Sequence, residues 1–209
     1  MIVWVNGAFG SGKTTLAQEL CRRRPAALLY DPEQVGYLLR EIVPVPTGDF
    51  QDLRLWRRQV AALALGLLEE YDRPLVAPMT LTDPGYAREI FGTLHAAGVT
   101  VRHFFLDASP EVLTRRIDAR TVVPGDPERD EAVRRWCRSQ IGRCVAAADT
   151  LPAGTVRLDG ALPVRELADA VLADHVVAGR LPADRPSDGT PDAGPRAAAG
   201  PDALPVRPG

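Results

Sequence analysis

A glycine-rich segment near the start of the chain carries the clearest chemistry in the sequence. Residues 7–14 read Gly-Ala-Phe-Gly-Ser-Gly-Lys-Thr, the residue types and spacing of a phosphate-binding loop. Glycines let backbone N–H groups surround phosphate oxygens, and the positive end of a following helix favours the same anion. The pattern predicts that Lys13 reaches the β- and γ-phosphates of ATP and that the Thr14 hydroxyl ligates Mg²⁺. The residues expected to hold the nucleotide are Gly7, Ala8, Phe9, Gly10, Ser11, Gly12, Lys13, Thr14 and Thr15.

The use of lysine supports this interpretation. Among the 25 lysines and arginines of the 209-residue chain, Lys13 is the single lysine. A compact ammonium group on a flexible stem is not interchangeable with a planar guanidinium in a tight phosphate cradle. We therefore favour a true phosphate loop over a chance glycine-rich turn. The same observation excludes a GTPase, because the Asn-Lys-x-Asp loop that reads guanine needs another lysine.

The segments around the loop follow the pattern of an alternating α/β chain. Apolar runs predict five strands, at residues 2–5, 26–31, 75–79, 99–106 and 155–158. Helices are predicted between and after them, at residues 15–21, 32–42, 56–71, 84–97, 110–120, 131–148 and 162–178. Such alternation produces a parallel sheet. We therefore predict an α/β, P-loop kinase-like fold: a five-stranded parallel sheet with helices on both faces and a short lid.

Composition sets the limits of the domain. We predict one domain over residues 1–178, with a lid at about residues 120–131, where prolines and a glycine favour a mobile loop. Residues 179–209 are rich in proline and glycine and hold few large apolar side chains. Such a segment cannot bury enough surface to offset its ordering entropy, so we predict a disordered tail.

Charge and cysteine content narrow the partners and the compartment. The net charge of −2 and the pI near 5.9 give no basic field, so nucleic acid is not an expected partner. Three cysteines make no disulfide framework, and no apolar run reaches the roughly 20 residues that a membrane span needs. We expect a cytoplasmic protein with reduced thiols.

The long predicted helix helps to decide the class of phosphate-loop protein. Its apolar residues fall at helical spacing, at Trp56, Val60, Leu63, Leu67 and Tyr71. Motor and AAA-type ATPases need an apolar strand that ends in an acid; Glu69 and Glu70 imitate that pattern but continue the helix. The predicted strand at 75–79 leads into Thr80 instead. A small-molecule kinase fits this architecture best.

Acidic and hydroxyl residues follow several predicted strands. Ligands bind at the carboxyl ends of parallel strands, where Asp31, Thr80 and Asp159 are expected. Asp31 is our candidate general base, and it would also contact the substrate and ligate Mg²⁺. The alternative is that Asp31 only caps the following helix. We expect Thr80 to contact the substrate and Asp159 to contact the nucleotide.

Arginines flank the predicted lid. Arg116-Ile-Asp-Ala-Arg120 resembles the Arg-Ile-x-x-Arg segment at the lid entrance of adenylate-kinase-like proteins. The resemblance implies that Arg116 lies against adenine and that Arg120 reaches the phosphates. Guanidinium groups suit both roles, although solvated helix arginines are the alternative. Arg143 is a candidate second lid arginine that would close onto phosphates beside the substrate.

Several segments together resemble the tunicamycin-resistance ATP-binding proteins of bacteria. They lie at residues 4–14, 30–33, 35–36, 49–52, 56–57, 78–80, 103–106 and 141–144. The resemblance covers about residues 1–160. It implies a P-loop kinase-like fold, ATP binding and protection from a uridine-containing antibiotic. The family's C-terminal part is associated with a membrane-attached helix, whereas this chain is proline- and glycine-rich there, so we do not expect membrane association.

The same resemblance implies that residues 49–57 border the substrate cavity. By that implication Phe50 and Trp56 stack on a base and Arg57 meets a polar group. Asp49 and Gln51 complete the expected substrate-binding set. Trp56 has an alternative, which is to begin the buried stripe of its helix.

Two functions remain open, with a third less favoured. The chain either phosphorylates a hydroxyl of a small, nucleoside-like molecule, or binds and sequesters the drug while ATP closes the lid. A nucleotide-dependent regulatory protein that docks through its tail is the third.

Overall fold

The computed structural model describes residues 1–181, in which five parallel strands form one sheet. The strands are β1 (Ile2–Gly7), β2 (Leu28–Leu29), β3 (Leu75–Pro78), β4 (Val101–Asp107) and β5 (Val156–Asp159). Their order in the sheet is β2-β3-β1-β4-β5, so the phosphate loop leaves from the central strand. This confirms the predicted five-stranded parallel sheet, with a second strand much shorter than the predicted 26–31.

Nine α-helices surround the sheet in the part of the chain that the structure describes. They are α1 (Lys13–Arg23), α2 (Glu33–Ile42), α3 (Arg54–Tyr71), α4 (Pro84–Ala96), α5 (Pro110–Asp118), α6 (Pro127–Ser139), α7 (Ile141–Ala146), α8 (Val164–Ala173) and α9 (His175–Ala178). The predicted final helix is divided at Asp174, whose Oδ1 accepts from the N–H groups that open α9. Short 3₁₀ turns lie at Phe50–Asp52 and Ala147–Thr150.

Alternation along β1 separates two layers of core. Ile2 and Trp4 pack with α2, α3 and α4 on one face, whereas Val3 and Val5 pack with α1, α8 and α9 on the other. Successive side chains of a strand point to opposite faces, so both faces of this fully buried strand need apolar residues.

The buried face of α3 differs from the predicted stripe. Trp56, Val60 and Ala64, each four residues apart, are fully buried. Leu63 is 46% exposed and Tyr71 is 55% exposed. Ala64 occupies the buried position for which the spacing predicted Leu63. A pattern counted by large residues overlooks alanines that allow close packing.

The segment predicted as a mobile lid, residues 120–131, is partly helical because α6 begins inside it. Asp130 on α6 is buried, and its Oδ1 accepts from the N–H groups of Val122 at 2.6 Å and Val123 at 2.9 Å. These two hydrogen bonds hold the pKa of Asp130 below its ordinary value. The loop that remains, residues 119–126, is therefore tied to α6.

The last described residues belong to the folded core. Leu181 is buried and packs in the same cluster as Val177. Ordered packing thus extends three residues beyond the predicted domain end at 178, and the rest of the predicted tail lies outside the described residues. No helix within residues 1–181 is both long enough and apolar enough to span a membrane.

Candidate nucleotide and acceptor site

Buried polar side chains hold the phosphate loop between β1 and β3. Asn6 Oδ1 accepts from the N–H groups of Gly7 at 2.7 Å and Leu81 at 2.9 Å. Thr80 Oγ1 donates to the Gly7 carbonyl at 3.0 Å. Thr80 is 1% exposed and does not line the cavity, so its predicted role as a substrate contact is corrected to a structural one. Asn6 was not singled out from the sequence.

The first glycine of the loop is required by its surroundings. Gly7 has φ +147°, and a Cβ placed there would lie 2.8 Å from Ser11 Oγ and 2.9 Å from the Leu106 carbonyl oxygen. Any side chain at this position would displace the loop backbone. The neighbouring Ala8 is buried in the core beside α5, so neither residue lines the cavity.

Lys13 is buried where the loop meets α1. Its Nζ donates to the Ala8 carbonyl at 2.9 Å and lies 5.6 Å from the centre of the Phe9 ring. Burial lowers the pKa of Lys13, and the charge of Glu33 opposes this effect. The ammonium group is therefore a desolvated cation that a phosphate group would stabilise.

A cavity of about 620 Å³ opens beside this loop. It brings together most of the residues predicted from the sequence, namely Phe9, Gly10, Ser11, Gly12, Lys13, Thr14, Thr15, Asp31, Asp49, Phe50, Gln51, Arg116, Arg120 and Arg143. Gly7, Ala8, Trp56, Arg57, Thr80 and Asp159 are not part of its lining.

Asp31 stands at the cavity wall, two residues before the start of α2. Its Oδ1 accepts from the Glu33 N–H at 2.9 Å, and its Oδ2 is 3.4 Å from Gln34 Nε2. Burial raises the pKa of Asp31, while these hydrogen bonds and Lys13 oppose the rise. The two predicted roles, helix capping and a carboxylate in the site, are thus compatible in one side chain.

Glu33 is a second carboxylate in the cavity, and no role was predicted for it from the sequence. Tyr37 donates its hydroxyl to Glu33 Oε2 at 3.0 Å. Burial raises the pKa of Glu33, and the charges of Lys13 and Arg120 oppose the rise. Glu33, Tyr37 and Arg40 follow Asp31 at helical spacing and all line the cavity. That spacing was the signal available in the sequence.

The predicted lid arginines all reach the cavity, in different ways. Arg116 Nη1 donates to the carbonyls of Gly160 at 2.7 Å and Ser11 at 3.3 Å, which joins α5 to the loop after β5. Arg120 is exposed at the cavity edge. Arg143 Nη2 lies 3.6 Å from Asp49 Oδ2.

Trp56 and Arg57 do not line the cavity, which corrects their predicted contacts with substrate. Trp56 is fully buried, and its Nε1 donates to the Pro32 carbonyl at 3.1 Å. Arg57 Nε donates to Glu89 at 2.6 Å and Nη1 donates to the Gln51 carbonyl at 2.5 Å. Both side chains hold the segment that carries Phe50 and Gln51 in place, and they leave the cavity to those two residues.

Asp159 also serves the backbone. Its Oδ1 accepts from the Ala161 N–H at 2.9 Å and shapes the turn after β5, and it is Gly160 that lines the cavity beside Arg116. Asp159 itself does not line the cavity, so the lining does not support its predicted contact with nucleotide.

Trp136 on α6 lines the cavity and was not predicted. Its ring packs edge-on against Phe9 with centroids 5.0 Å apart, so the phosphate loop and α6 touch through an aromatic pair. No local pattern in the sequence indicates this contact, because Phe9 and Trp136 are far apart in the chain.

The residues present suit a nucleotide and a hard cation. Ser11 Oγ is buried without a hydrogen-bond partner in residues 1–181, and it lies in the loop that would surround the phosphates. Thr14 and Asp31 offer oxygen ligands, which Mg²⁺ prefers. No group of three His, Cys, Asp or Glu side chains within the described chain is arranged to hold a metal, so phosphate and water oxygens would complete the shell.

Comparison with known proteins gives the family. Residues 2–143 match the profile of the family described as the AAA domain, which is more than half of the chain. The chain belongs to this AAA domain family. In this chain Met79 and Thr80 follow β3, and no acid stands there. Glu69 and Glu70 lie exposed at the end of α3. No curated protein matches the chain.

Several solved structures share the fold of this chain. The tunicamycin resistance protein of Deinococcus radiodurans is 24% identical over 82% of this chain and 93% of its own, with a TM-score of 0.62. A sugar kinase from Janibacter sp. is 19% identical over 85% of this chain and 95% of its own, with a TM-score of 0.56. The APS kinase of Mycobacterium tuberculosis is 18% identical over 82% of this chain and 94% of its own, with a TM-score of 0.54. Its structure is a complex with AMPPNP and APS. These likenesses confirm the predicted P-loop kinase-like fold.

Proposed function

We propose that this protein transfers the γ-phosphoryl group of ATP to a hydroxyl of a small, nucleoside-type molecule, with tunicamycin as the first candidate acceptor. The observation that carries the proposal is the lining of the cavity described above. It includes the phosphate loop and Lys13, two carboxylates, Asp31 and Glu33, and the aromatic residues Tyr37 and Phe50. Phosphoryl transfer needs a carboxylate near the acceptor hydroxyl as well as a phosphate-binding loop.

The transfer has a simple balance. The acceptor oxygen forms a bond to the γ-phosphorus, the bond from that phosphorus to the β,γ-bridging oxygen breaks, and ADP leaves with the electron pair. The acceptor proton passes to a carboxylate, for which Asp31 is our candidate. Lys13 and Arg120 neutralise charge on the transferring group. Asp31 and Thr14 would hold Mg²⁺, which supplies further neutralisation of the phosphates when bound.

The comparisons support this class of reaction through the proteins that share the fold. A sugar kinase and an APS kinase bound to AMPPNP and APS are among them. The tunicamycin resistance protein supports the choice of first acceptor. We place the activity in the cytoplasm, where ATP is available and where the three cysteines, all free, stay reduced.

The test is direct transfer of label. The 209-residue chain is incubated with Mg²⁺, γ-labelled ATP and a panel of nucleoside and sugar antibiotics that includes tunicamycin. We expect label in one acceptor and a loss of about 100-fold or more in Lys13→Ala, since removing one charge-stabilising group costs about that much. Arg135→Ala, an exposed position on α6, is the matched control and should keep full activity. Transfer to no member of the panel would refute the proposal.

A second candidate function is ATP-promoted sequestration of the drug. The hydrogen bonds of both Asp31 carboxylate oxygens favour it, because a carboxylate committed to α2 is less available for chemistry. Calorimetry separates the two functions. Tight drug binding that requires ATP, with no labelled product and with unchanged binding in Asp31→Asn, would support sequestration.

A further inference from the structure

One face of α3 is exposed to solvent along the length of the helix. The opposite face is buried, with Trp56, Val60 and Ala64 in the core. On the exposed face, residues recur at the spacing of one side of a helix. They include Leu55, Arg58, Ala62, Leu63, Glu69 and Glu70. Leu55 is 43% exposed and Leu63 is 46% exposed, so this face carries two large apolar side chains that the rest of the chain leaves uncovered.

The charges on this face lie in two groups at the ends of the helix. Arg54 is the first residue of α3 and Arg58 follows one turn later, whereas Glu69 and Glu70 lie in the last turn. None of these four side chains makes a hydrogen bond or an ion pair within residues 1–181. Arg58 and Glu69 are about 16 Å apart along the helix axis, which is about twice the Debye length of physiological salt. The two groups therefore cannot neutralise each other within one chain.

This arrangement of charges also opposes the dipole of α3. Acidic residues stabilise the first turn of a helix and basic residues stabilise the last turn, and α3 has neither. Leu53 at its N-cap provides no side-chain hydrogen bond. Asp52 and Arg73 flank the helix with the favourable signs, but both side chains are hydrogen-bonded elsewhere in the chain. A local pattern that opposes helix stability indicates a compensating contact.

A second α3 in the antiparallel orientation supplies that contact. A two-fold axis near the middle of the helix places the acidic end of each copy beside the basic end of the other, so the complementary charges meet twice. The same approach buries Leu63, and Ala62, which lies near the middle, has a side chain small enough to let the two helices pack closely.

We propose that two copies of this chain associate through the exposed face of α3, packed antiparallel about a two-fold axis. Arg54 and Arg58 of each copy then face Glu69 and Glu70 of the other. The inference does not depend on the proposed phosphotransfer. One pair of helices buries less than the roughly 1,600 Å² of a standard interface, so we expect a reversible dimer with a micromolar dissociation constant.

Sedimentation equilibrium of the 209-residue chain over a range of concentrations tests the inference. We expect a monomer–dimer equilibrium that weakens as salt is added, because the paired charges are exposed. The double variant Arg54→Glu and Arg58→Glu should weaken association about tenfold or more, and Glu69→Arg with Glu70→Arg should do the same. Each double variant makes like charges face each other at both ends of the helix pair.

Mixing the two double variants is the sharpest form of the test. A mixed dimer again pairs opposite charges at both ends, so the mixture should associate about as tightly as the wild type. This recovery also shows that both variants are folded. The control is the double variant Arg115→Glu and Arg135→Glu, which makes the same change of net charge at exposed positions on α5 and α6. Alone it should associate like the wild type. Mixed with the variant that is basic at residues 69 and 70, it should associate more weakly than the complementary pair.

Three results would overturn the inference. The first is a wild-type chain that stays monomeric at every concentration. The second is a dimer that the charge reversals on α3 leave unchanged, and the third is a loss of association that mixing does not restore. In each case the exposed face of α3 would be left to residues 182–209 or to another protein.

Discussion

Several side chains of this site hold the backbone and also line the cavity, and Asp31 shows this most clearly. It accepts from the backbone at the start of α2 while its carboxylate lines the cavity beside the phosphate loop. The shared duty makes a simple alanine variant ambiguous. A substitution that keeps one duty and removes the other is more informative.

Asp31→Asn and Asp31→Ala should therefore separate the two duties. Asparagine keeps an oxygen for the Glu33 N–H, so Asp31→Asn should retain folding stability and ATP affinity while losing most turnover. Asp31→Ala should lose turnover and about 1 kcal/mol of stability as well. Urea unfolding measures stability, calorimetry measures ATP binding, and label transfer measures turnover. Full turnover in Asp31→Asn would show that this carboxylate is not the base.

At the residue scale, the sequence predicted the cavity lining better for the phosphate loop than for residues 56–57. Local spacing defines a phosphate loop, so Lys13 and its neighbours needed no tertiary information. Trp56 and Arg57 lie at the start of a helix, where cavity-facing and core-facing side chains share one sequence pattern. Only the packing of α3 against α2 decides which way they point, and that packing is a long-range property.

At the element scale, one wall of the cavity depends on how closely α2 meets the Phe50–Asp52 turn. A Cβ built at Gly36 would lie 2.5 Å from the Phe50 ring, so glycine permits the contact. Phe50 in turn packs against Tyr37, with ring centroids 6.1 Å apart, and supports Arg40. The close contact between α2 and Phe50 thus depends on Gly36 having no Cβ.

Gly36→Ala should push Phe50 away from α2. We expect a loss of about 1–3 kcal/mol of stability, as for other overpacked cores, together with weaker acceptor binding. Gly66→Ala on α3 is the control, because a Cβ there meets nothing within 4 Å and alanine favours a helix. Urea unfolding of both variants checks the result. Similar stabilities for the two variants would contradict the close contact.

Asp130 should determine how freely the loop at residues 119–126 opens. Asp130→Asn removes the negative charge of the side chain whose Oδ1 accepts from two backbone N–H groups. The amides of Val122 and Val123 should therefore exchange hydrogen faster. Glu128→Gln, at an exposed position in the first turn of α6, should leave that exchange unchanged. Hydrogen–deuterium exchange with mass spectrometry gives both measurements. Unchanged protection in Asp130→Asn would mean that other contacts hold the loop.

The strands and most helices could be predicted because each is encoded by local periodicity and capping. Ser109, for example, caps α5 as its sequence suggests, with Pro110 in the first turn. The early start of α6 and the division at Asp174 were missed although both have local caps. Asp126 accepts from the Arg129 N–H and Asp174 accepts from the N–H groups of Val176 and Val177, and a pattern counted by apolar residues overlooks such caps.

For the whole molecule, the stability should depend on pH through a buried histidine in the sheet. His103 on β4 is hydrogen-bonded through Nδ1 to Thr155 Oγ1 at 2.8 Å, and its Nε2 has no partner in residues 1–181. Burial lowers the pKa of His103 from its ordinary 6.5 to about 4. The unfolded chain therefore binds this proton more tightly. The contribution of His103 to the free energy of unfolding does not change above pH 6.5. It decreases as the pH falls from 6.5 to about 4 and is constant below that range.

His103→Gln should reduce this pH dependence. The wild type should lose about 2 kcal/mol between pH 7 and pH 5 through His103, and the variant should lack that contribution. His95→Gln, at an exposed position on α4, should keep the wild-type slope. Urea unfolding at the two pH values gives the comparison. Parallel curves for wild type and His103→Gln would exclude the histidine as the cause.

The solitary lysine has a practical consequence for labelling. Lys13 is 9% exposed in the folded protein, so apart from the α-amino group an amine-reactive ester finds no readily accessible target in the native state. Acylation of Lys13 would remove the cation from the phosphate loop, and bound triphosphate would shield it. The rate of acylation at this one position is therefore a direct measure of nucleotide occupancy. Coupling the protein to a solid surface through lysine would, by the same reasoning, select molecules in which Lys13 has become accessible.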